Sequence, residues 1–281
     1  MQSPDASIIT AAGLVFGTGV LLDFLLLLYR PALPRDWPAR TRRLAERPWS
    51  WQEGGALVFV LLGLHLALIA LIRGGLDSGM IAGDSATAVL LIAELCAFDG
   101  ATLLLAAWIL RSKGTSWEEA LGMSPARLPW AIGRGVVFCM AAVPVVSVAT
   151  IVYRTLLSAA GFPYVPQDVL LLFSVDSSVG QQLTLGFLAL VAAPLAEETL
   201  FRGIALPVLA RKIGAGGGVI VTSLVFAAMH GNLHSLLPLF LIASAFSLAY
   251  IWTESLWVPV VMHSVFNGVN VLLMLLSGGQ T

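Results

Sequence analysis

Long apolar runs constrain this chain more than any other feature. Eight stretches are candidates for helices that cross a membrane, because each is mainly apolar and most approach the ~20 residues that such a crossing needs. The stretch Val219–His230 is shorter, so we expect it to be tilted or covered by its neighbours. The eight candidates are Ile8–Tyr29, Gly54–Ile72, Thr87–Leu110, Pro129–Tyr153, Gln182–Leu209, Val219–His230, Ser235–Ile251 and Leu256–Leu276.

The composition fits a membrane protein and excludes other classes. Hydrophobic residues make up 58% of the 281 residues and charged residues 11%, whereas a soluble domain has about 25% charged residues. This excludes a soluble globular enzyme, and the scattered basic residues exclude nucleic acid as a partner. Cys96 and Cys139 lie in apolar runs, which excludes a disulfide framework. We predict an all-α fold, a polytopic membrane helical bundle with about eight transmembrane helices in the cell membrane.

Basic residues predict the orientation of the helices. They follow the first, third and fifth spans, which are alternate connections, so all three loops can lie on the cytoplasmic side with both termini outside. The residues are Arg30, Arg35, Arg40, Arg42, Arg43, Arg47, Arg111, Lys113, Arg127, Arg211 and Lys212.

Two parts of the chain are predicted to pack as one membrane domain. Residues 1–179 contain spans one to four with their loops, and residues 180–276 contain spans five to eight. Three of the four histidines lie in the second part. An ionisable side chain at membrane depth is costly and is by default a candidate for function, so we expect the site in residues 180–276.

Two adjacent glutamates in the fifth span are predicted to differ in role. Glu198 and Arg202 are four residues apart with the acid nearer the N-terminus, the favoured order for a helical ion pair. Glu197 lies about 100° round the helix from Glu198 and has no intrahelical cation. We therefore predict a structural Glu198–Arg202 pair and a Glu197 carboxylate that is free for chemistry.

Three further polar groups are predicted to lie at the depth of Glu197. His230 follows Phe226 by four residues, so the ring can support the imidazole, and His263 and Asn267 share one helix face by the same spacing. From the helical rise, Glu197, His230 and Asn267 each lie about 16–18 Å from the same membrane face. Three helices can thus bring a carboxylate, two imidazoles and an amide together.

The same residues form three motifs. EETLFR at Glu197–Arg202, FAAMH at Phe226–His230 and HSVFN at His263–Asn267 resemble, in order, the Glu-Glu-x-x-x-Arg, Phe-x-x-x-His and His-x-x-x-Asn motifs of the CPBP family of CAAX proteases and bacteriocin-processing proteases (also called Abi, Rce1-like). Gly203 follows the first motif, as the family usually shows. The resemblance covers roughly the last hundred residues, and it implies a multi-span helical bundle with intramembrane endopeptidase activity.

A catalytic assignment follows from this resemblance together with the geometry. Glu197 would be the general base, His230 would hold or deprotonate the same water, and His263 and Asn267 would donate hydrogen bonds to the oxyanion. Glu198, Arg202 and Phe226 would support these residues structurally. The expected partners are the lipid bilayer and a membrane-associated peptide or protein tail as substrate. The sequence leaves open whether that substrate is prenylated.

Alternatives to the metal-free protease remain at this stage. Glu197, His230 and His263 form a ligand set known from catalytic zinc sites, although no cofactor is favoured. His234 has zincin spacing from His230, but HGNLH lacks the glutamate of that motif, and we expect His234 in a loop at the membrane edge. A catalytically silent membrane scaffold or immunity protein, and a proton-coupled transporter, are the alternatives from other classes.

Polar residues in the first part are predicted to pair with each other. Asp23 and Arg134 lie at similar depth, as do His65 and Asp99, so we expect two structural pairs. Glu94, together with His65 and Asp99, is also compatible with a proton relay.

Overall fold

The computed structural model describes residues 6–29, 36–78, 84–165 and 179–276, and most of these residues are helical. No strand occurs in these ranges. Arg30 and Arg35 of the first predicted basic loop lie outside them. The helices are α1 (Ala6–Tyr29), α2 (Trp37–Ala45), α3 (Trp51–Asp77), α4 (Asp84–Ser112), α5 (Trp117–Leu121), α6 (Leu128–Ala159), α7 (Val179–Phe187), α8 (Ala193–Glu198), α9 (Leu206–Met229), α10 (Leu233–Thr253) and α11 (Trp257–Leu276).

Two segments have π-helical rather than α-helical hydrogen bonding. The first π-segment, Leu188–Ala192, joins α7 to α8, and the second π-segment, Thr199–Ala205, joins α8 to α9. The fifth predicted span is therefore one continuous helical rod whose register changes twice.

The predicted membrane architecture is confirmed. Among the described residues, six helical elements are long and apolar enough to cross a membrane, and Ile9–Leu25 in α1 adds a shorter apolar stretch. The chain is a multi-pass integral membrane protein built as an all-α bundle. One of the six elements, Val179–Met229, is 51 residues long and contains a break at Gly214. The predicted number of eight spans requires counting its two halves and α1 separately, and it stays a prediction.

The chain reverses direction at Gly214. This residue has φ 75° and ψ 163°, a conformation that glycine adopts far more readily than other residues. Four residues later, a Cβ on Gly218 would lie 3.1 Å from Leu206 Cδ1 and 3.3 Å from the Ala210 nitrogen. The two halves of α9 therefore pack against each other as a tight hairpin, with the helix that carries Glu197 on one side.

The predicted basic loops meet at one end of the bundle. Arg211, near the α9 hairpin, donates hydrogen bonds to three backbone carbonyls between residues 45 and 49. Arg47 donates to the Glu119 carbonyl at 2.8 Å and to the Glu254 carbonyl at 3.1 Å. The connections after the first, third and fifth spans thus lie on one face, as expected. That this face is cytoplasmic stays a prediction.

The predicted pair between His65 and Asp99 is wrong. His65 Nδ1 lies 2.6 Å from Glu94 Oε1, so Glu94 is its partner. Glu94 and Asp99 are five residues apart, which places them about 140° apart round the helix. Because α3 contacts the Glu94 side of α4, Asp99 faces a different neighbour.

The predicted pair between Asp23 and Arg134 is also wrong. The Arg134 guanidinium carbon lies 4.5 Å from the centroid of the Trp130 ring, one turn earlier in α6. This cation–π contact holds the cation along its own helix, and the ion pair to Asp23 is not made.

Gly122 joins α5 to the turn between α10 and α11. Leu256 donates its backbone N–H to the Leu121 carbonyl at 3.0 Å, and Ser255 Oγ donates to the Gly122 carbonyl at 2.9 Å. Gly122 has φ 71°, and a Cβ there would lie 1.9 Å from the Glu254 carbonyl oxygen. The contact therefore requires glycine both for its backbone conformation and for space.

Replacing Gly122 with alanine is expected to lower the free energy of unfolding by about 2–4 kcal/mol, because left-handed strain adds to a steric overlap. Thermal unfolding of the purified protein in detergent measures this loss. Gly114→Ala is the matched control, since Gly114 has φ 63° but no atom within 4 Å of the Cβ position. An equal loss of stability in both variants would contradict the steric role of the Gly122 contact.

Candidate active site

The three sequence motifs converge on one region of the bundle. The first lies at the end of α8 and in the second π-segment, the second at the end of α9, and the third in α11. The Phe226 ring contacts two of their side chains: its centroid lies 4.9 Å from that of His230 and 5.8 Å from that of His263. The supporting role predicted for Phe226 thus extends to both imidazoles.

Glu198 and Arg202 form the predicted ion pair. Arg202 Nη1 lies 2.8 Å from Glu198 Oε1, and both side chains are 0% exposed. Arg202 also donates to the Ala243 carbonyl at 2.9 Å and to Ser247 Oγ at 3.3 Å. A buried charge needs a partner and hydrogen bonds to be tolerated, and this guanidinium has both, so the pair links the second π-segment to α10.

Glu198 also orients His263, which sequence reasoning did not foresee. His263 Nδ1 lies 2.9 Å from Glu198 Oε1, and because that carboxylate is already paired with Arg202 we assign Nδ1 as the donor. The His263 ring stacks on Phe246 with centroids 5.3 Å apart. These two contacts fix the ring and direct Nε2 towards Glu197.

Glu197 is the free carboxylate, as its position in the helix predicted. Its side chain is 25% exposed, and Oε2 lies 3.8 Å from His263 Nε2. That distance is too long for a hydrogen bond, and Oε2 has no hydrogen-bond partner in the protein. The carboxylate therefore has acceptor capacity left for a water or a substrate group.

His230 ends α9 and is exposed. Its Nδ1 lies 2.8 Å from the Phe226 carbonyl oxygen, and since a carbonyl can only accept, Nδ1 carries the proton. Nε2 is then the ring nitrogen with a free lone pair. Within the described ranges no hydrogen bond or ion pair joins His230 to Glu197.

Zinc does not fit the residues as they stand. Among the residues that the structure describes, no three His, Cys, Asp or Glu side chains are close enough together to hold a metal ion. The ligand set Glu197, His230 and His263 is therefore not assembled in the described part of the chain.

His234 is not in a loop, contrary to expectation. The Asn232 side chain accepts a hydrogen bond from the Ser235 N–H at 3.1 Å and so caps α10 at its N-terminus. This places His234 in the first turn of the helix, where it is 4% exposed and packs edge-on against Tyr164.

Asn267 stabilises the first π-segment. The Ala193 N–H bonds to the Leu188 carbonyl, five residues back. In that register the Ala189 carbonyl would next accept from residue 194, which is proline and has no N–H. Asn267 Nδ2 donates to the Ala189 carbonyl at 2.9 Å and supplies the missing bond.

The second π-segment also ends next to a proline. The Leu206 N–H bonds to the Phe201 carbonyl, five residues back, and Pro207 follows. The turn that carries Glu197 and Glu198 is thus enclosed by two π-segments, each followed within two residues by a proline. Such segments are frequent at functional sites. Pro194 and Pro207 inside an apolar span are the sequence signal that could have predicted them.

A third acid lies near the site and was missed by motif reasoning. Asp99 in α4 is 5% exposed and interacts electrostatically with Glu197 and His263. Helix α4 packs against α8 and against both π-segments. This packing explains why Asp99 faces the glutamates rather than His65.

Known proteins match the part of the chain that contains the three motifs. The family model for type II CAAX prenyl endopeptidase Rce1-like proteins matches residues 179–269. No solved structure matches.

Curated relatives are similar to this chain over part of their own length. The membrane-embedded CAAX protease MroQ of Staphylococcus aureus is 34% identical over 98 residues, 32% of this chain and 39% of that protein. An uncharacterized 24.3 kDa protein of Escherichia coli is 34% identical over 141 residues, 48% of this chain and 59% of that protein. The membrane peptidase YdiL of Bacillus subtilis is 28% identical over 85 residues, 30% of this chain and 35% of that protein.

The chain therefore spans less than two thirds of each of these relatives. The family match nevertheless includes Glu197, Arg202, His230 and His263 and ends two residues after Asn267. Residues 179–269 of this chain are therefore similar to the Rce1-like CAAX protease family.

Proposed function

We propose that this protein is an intramembrane endopeptidase that hydrolyses peptide bonds of membrane-associated peptides or protein tails. One observation carries the proposal: a free Glu197 carboxylate faces His263, which the buried Glu198–Arg202 pair holds in place. Within a membrane, such an arrangement is costly to maintain. Its position in a protease-family segment favours hydrolysis over a purely structural role.

Glu197 would act as the general base. It would take a proton from water while the water oxygen attacks the peptide carbonyl carbon and the carbonyl oxygen becomes an oxyanion. Collapse of this intermediate would break the C–N bond, and Glu197 would return the proton to the leaving nitrogen. His230 Nε2, with its lone pair, would help to hold or deprotonate this water once substrate brings the groups together. General bases in unliganded enzymes often lie outside hydrogen-bonding distance of their partners, so the separation of His230 from Glu197 is compatible with this role.

His263 and Asn267 would stabilise the oxyanion. His263 Nδ1 donates to Glu198, so a donor at Nε2 requires the imidazolium form, in which both ring nitrogens carry a proton. Asn267 uses one amide N–H for the Ala189 carbonyl and has a second N–H available. Preorganised donors of this kind each contribute about 10²–10³-fold to acyl-transfer rates.

Replacing Glu197 with glutamine is expected to lower kcat by at least about 100-fold, because the base is lost while shape and burial are kept. The measurement is cleavage of a library of membrane-tethered peptides, prenylated and unprenylated, by the protein in liposomes. Thermal unfolding should match that of the unchanged protein, since Oε2 has no partner to lose. Retained turnover would remove Glu197 as base, and no cleavage by the unchanged protein would favour a silent scaffold.

Replacing Glu198 with glutamine is expected to lower the free energy of unfolding by about 3–5 kcal/mol, because Arg202 is left as an unpaired buried charge. Thermal unfolding and the yield of monodisperse protein measure this loss. Glu197→Gln is the matched control one residue away. If Glu198→Gln were as stable as Glu197→Gln, the division of roles between the two glutamates would be wrong.

Replacing Asn267 with aspartate is expected to lower stability by about 1–3 kcal/mol, because the Ala189 carbonyl loses its donor. Asn270→Asp is the matched control, since Asn270 is exposed on α11 and donates to Phe266 within its own helix. Chemical or thermal unfolding compares the two variants. Equal stability in both would show that the Asn267 hydrogen bond does not hold the first π-segment.

Cleavage is expected to persist after exhaustive treatment with zinc chelators, because the described side chains form no metal-binding group. The assay is the same liposome cleavage, with metal content measured in parallel. Loss of cleavage that stoichiometric zinc restores would instead establish the zinc-dependent alternative.

A further inference from the structure

Asp99 is a candidate functional residue that lies outside all three motifs. It belongs to α4, and the family match begins only at residue 179. Helix α4 nevertheless packs against α8, which carries Glu197, and against the π-segments on both sides of it. The site is therefore lined by a helix from the first part of the chain.

One oxygen of the Asp99 carboxyl lacks a hydrogen-bond partner in the protein. The residue is 5% exposed, and Oδ2 is buried without a hydrogen-bond partner. His65, the cation expected for it, is paired with Glu94. A buried polar group without a donor costs free energy. A side chain of this kind is more consistent with a function than with stabilisation of the fold.

The Glu197 carboxylate, proposed as the general base, also has an oxygen without a hydrogen-bond partner. Glu197 Oε2 is also buried without a partner, while Arg202 is occupied by Glu198. Asp99 is close enough to Glu197 and His263 for their charges to interact. Two acceptor oxygens on packed helices thus lack donors, and a water molecule has two O–H donors.

We propose, on the basis of the protease function above, that Asp99 and Glu197 hold the hydrolytic water between them. Glu197 accepts one O–H and removes that proton as the water oxygen bonds to the peptide carbonyl carbon. Asp99 accepts a hydrogen bond from the other O–H, whose proton stays on the water oxygen. This hydrogen bond directs the oxygen lone pair at the carbonyl carbon. Asp99 would then be a water-holding residue that the family motifs do not contain.

The test compares Asp99→Leu and Asp99→Asn with Glu94→Gln as the matched control on the same helix. Asp99→Leu is expected to lower kcat about 100-fold with KM within about 2-fold, because the water loses one of its two holders. Asp99→Asn keeps an acceptor oxygen, so a smaller loss of about 10-fold is expected. Glu94→Gln, which alters only the His65 pair, should retain kcat within about 2-fold.

Stability separates this function from a structural role. Because Asp99 Oδ2 is buried without a hydrogen-bond partner, leucine at this position should leave the melting temperature unchanged or raise it, while kcat falls. A melting temperature that falls in parallel with kcat would make Asp99 structural and overturn the proposal. So would kcat within about 2-fold of the unchanged protein in Asp99→Leu, or a loss confined to KM.

The two proposals fail in distinguishable ways. An inactive Glu197→Gln with an active Asp99→Leu would leave the protease function intact and refute the role of Asp99. An active Glu197→Gln would refute the base, and with it the shared water, whatever the Asp99 variants do.

Discussion

Compensation of buried charge is the constraint on which the rest of this structure depends. In a chain with 11% charged residues, a guanidinium that is 0% exposed needs acceptors from several elements, and Arg202 takes them from α8 and α10. The shared carboxylate of Glu198 then fixes His263 on α11. The neutralised Arg202 cation thus connects α8, α10 and α11. The orientation of the His263 ring is a consequence of this network.

Proline decides which of two neighbouring glutamates enters that network. The missing N–H at Pro194 ends one π-register and the missing N–H at Pro207 ends the other. Between them lies a short α-helical turn whose orientation is set from both ends. Glu198 is thereby buried against Arg202, while Glu197 lies where its carboxylate remains open. The carboxylate proposed for catalysis and the carboxylate used in packing thus lie about 100° apart round the helix.

Much of this arrangement was predictable, because it depends on local spacing. The spans follow from apolar length, and the Glu198–Arg202 pair follows from four-residue spacing along a helix. The partner of His65 and the neighbours of Asp99 were not predictable, because depth in the membrane does not specify which face of α4 meets which helix. Non-local packing, rather than propensity, decided both. His234 differs, because a local cap by Asn232 begins the helix one residue before it.

The π-segments have a consequence for comparing this chain with its relatives. Each inserts one residue relative to an uninterrupted α-helix, so it behaves as a stored single-residue insertion. Deleting one residue between Leu188 and Ala192 would leave a regular α-helix and keep everything beyond it in nearly the same orientation, because the wider π-turn absorbs the extra residue. A one-residue gap in an alignment at this point would therefore leave the same carboxylate facing His263.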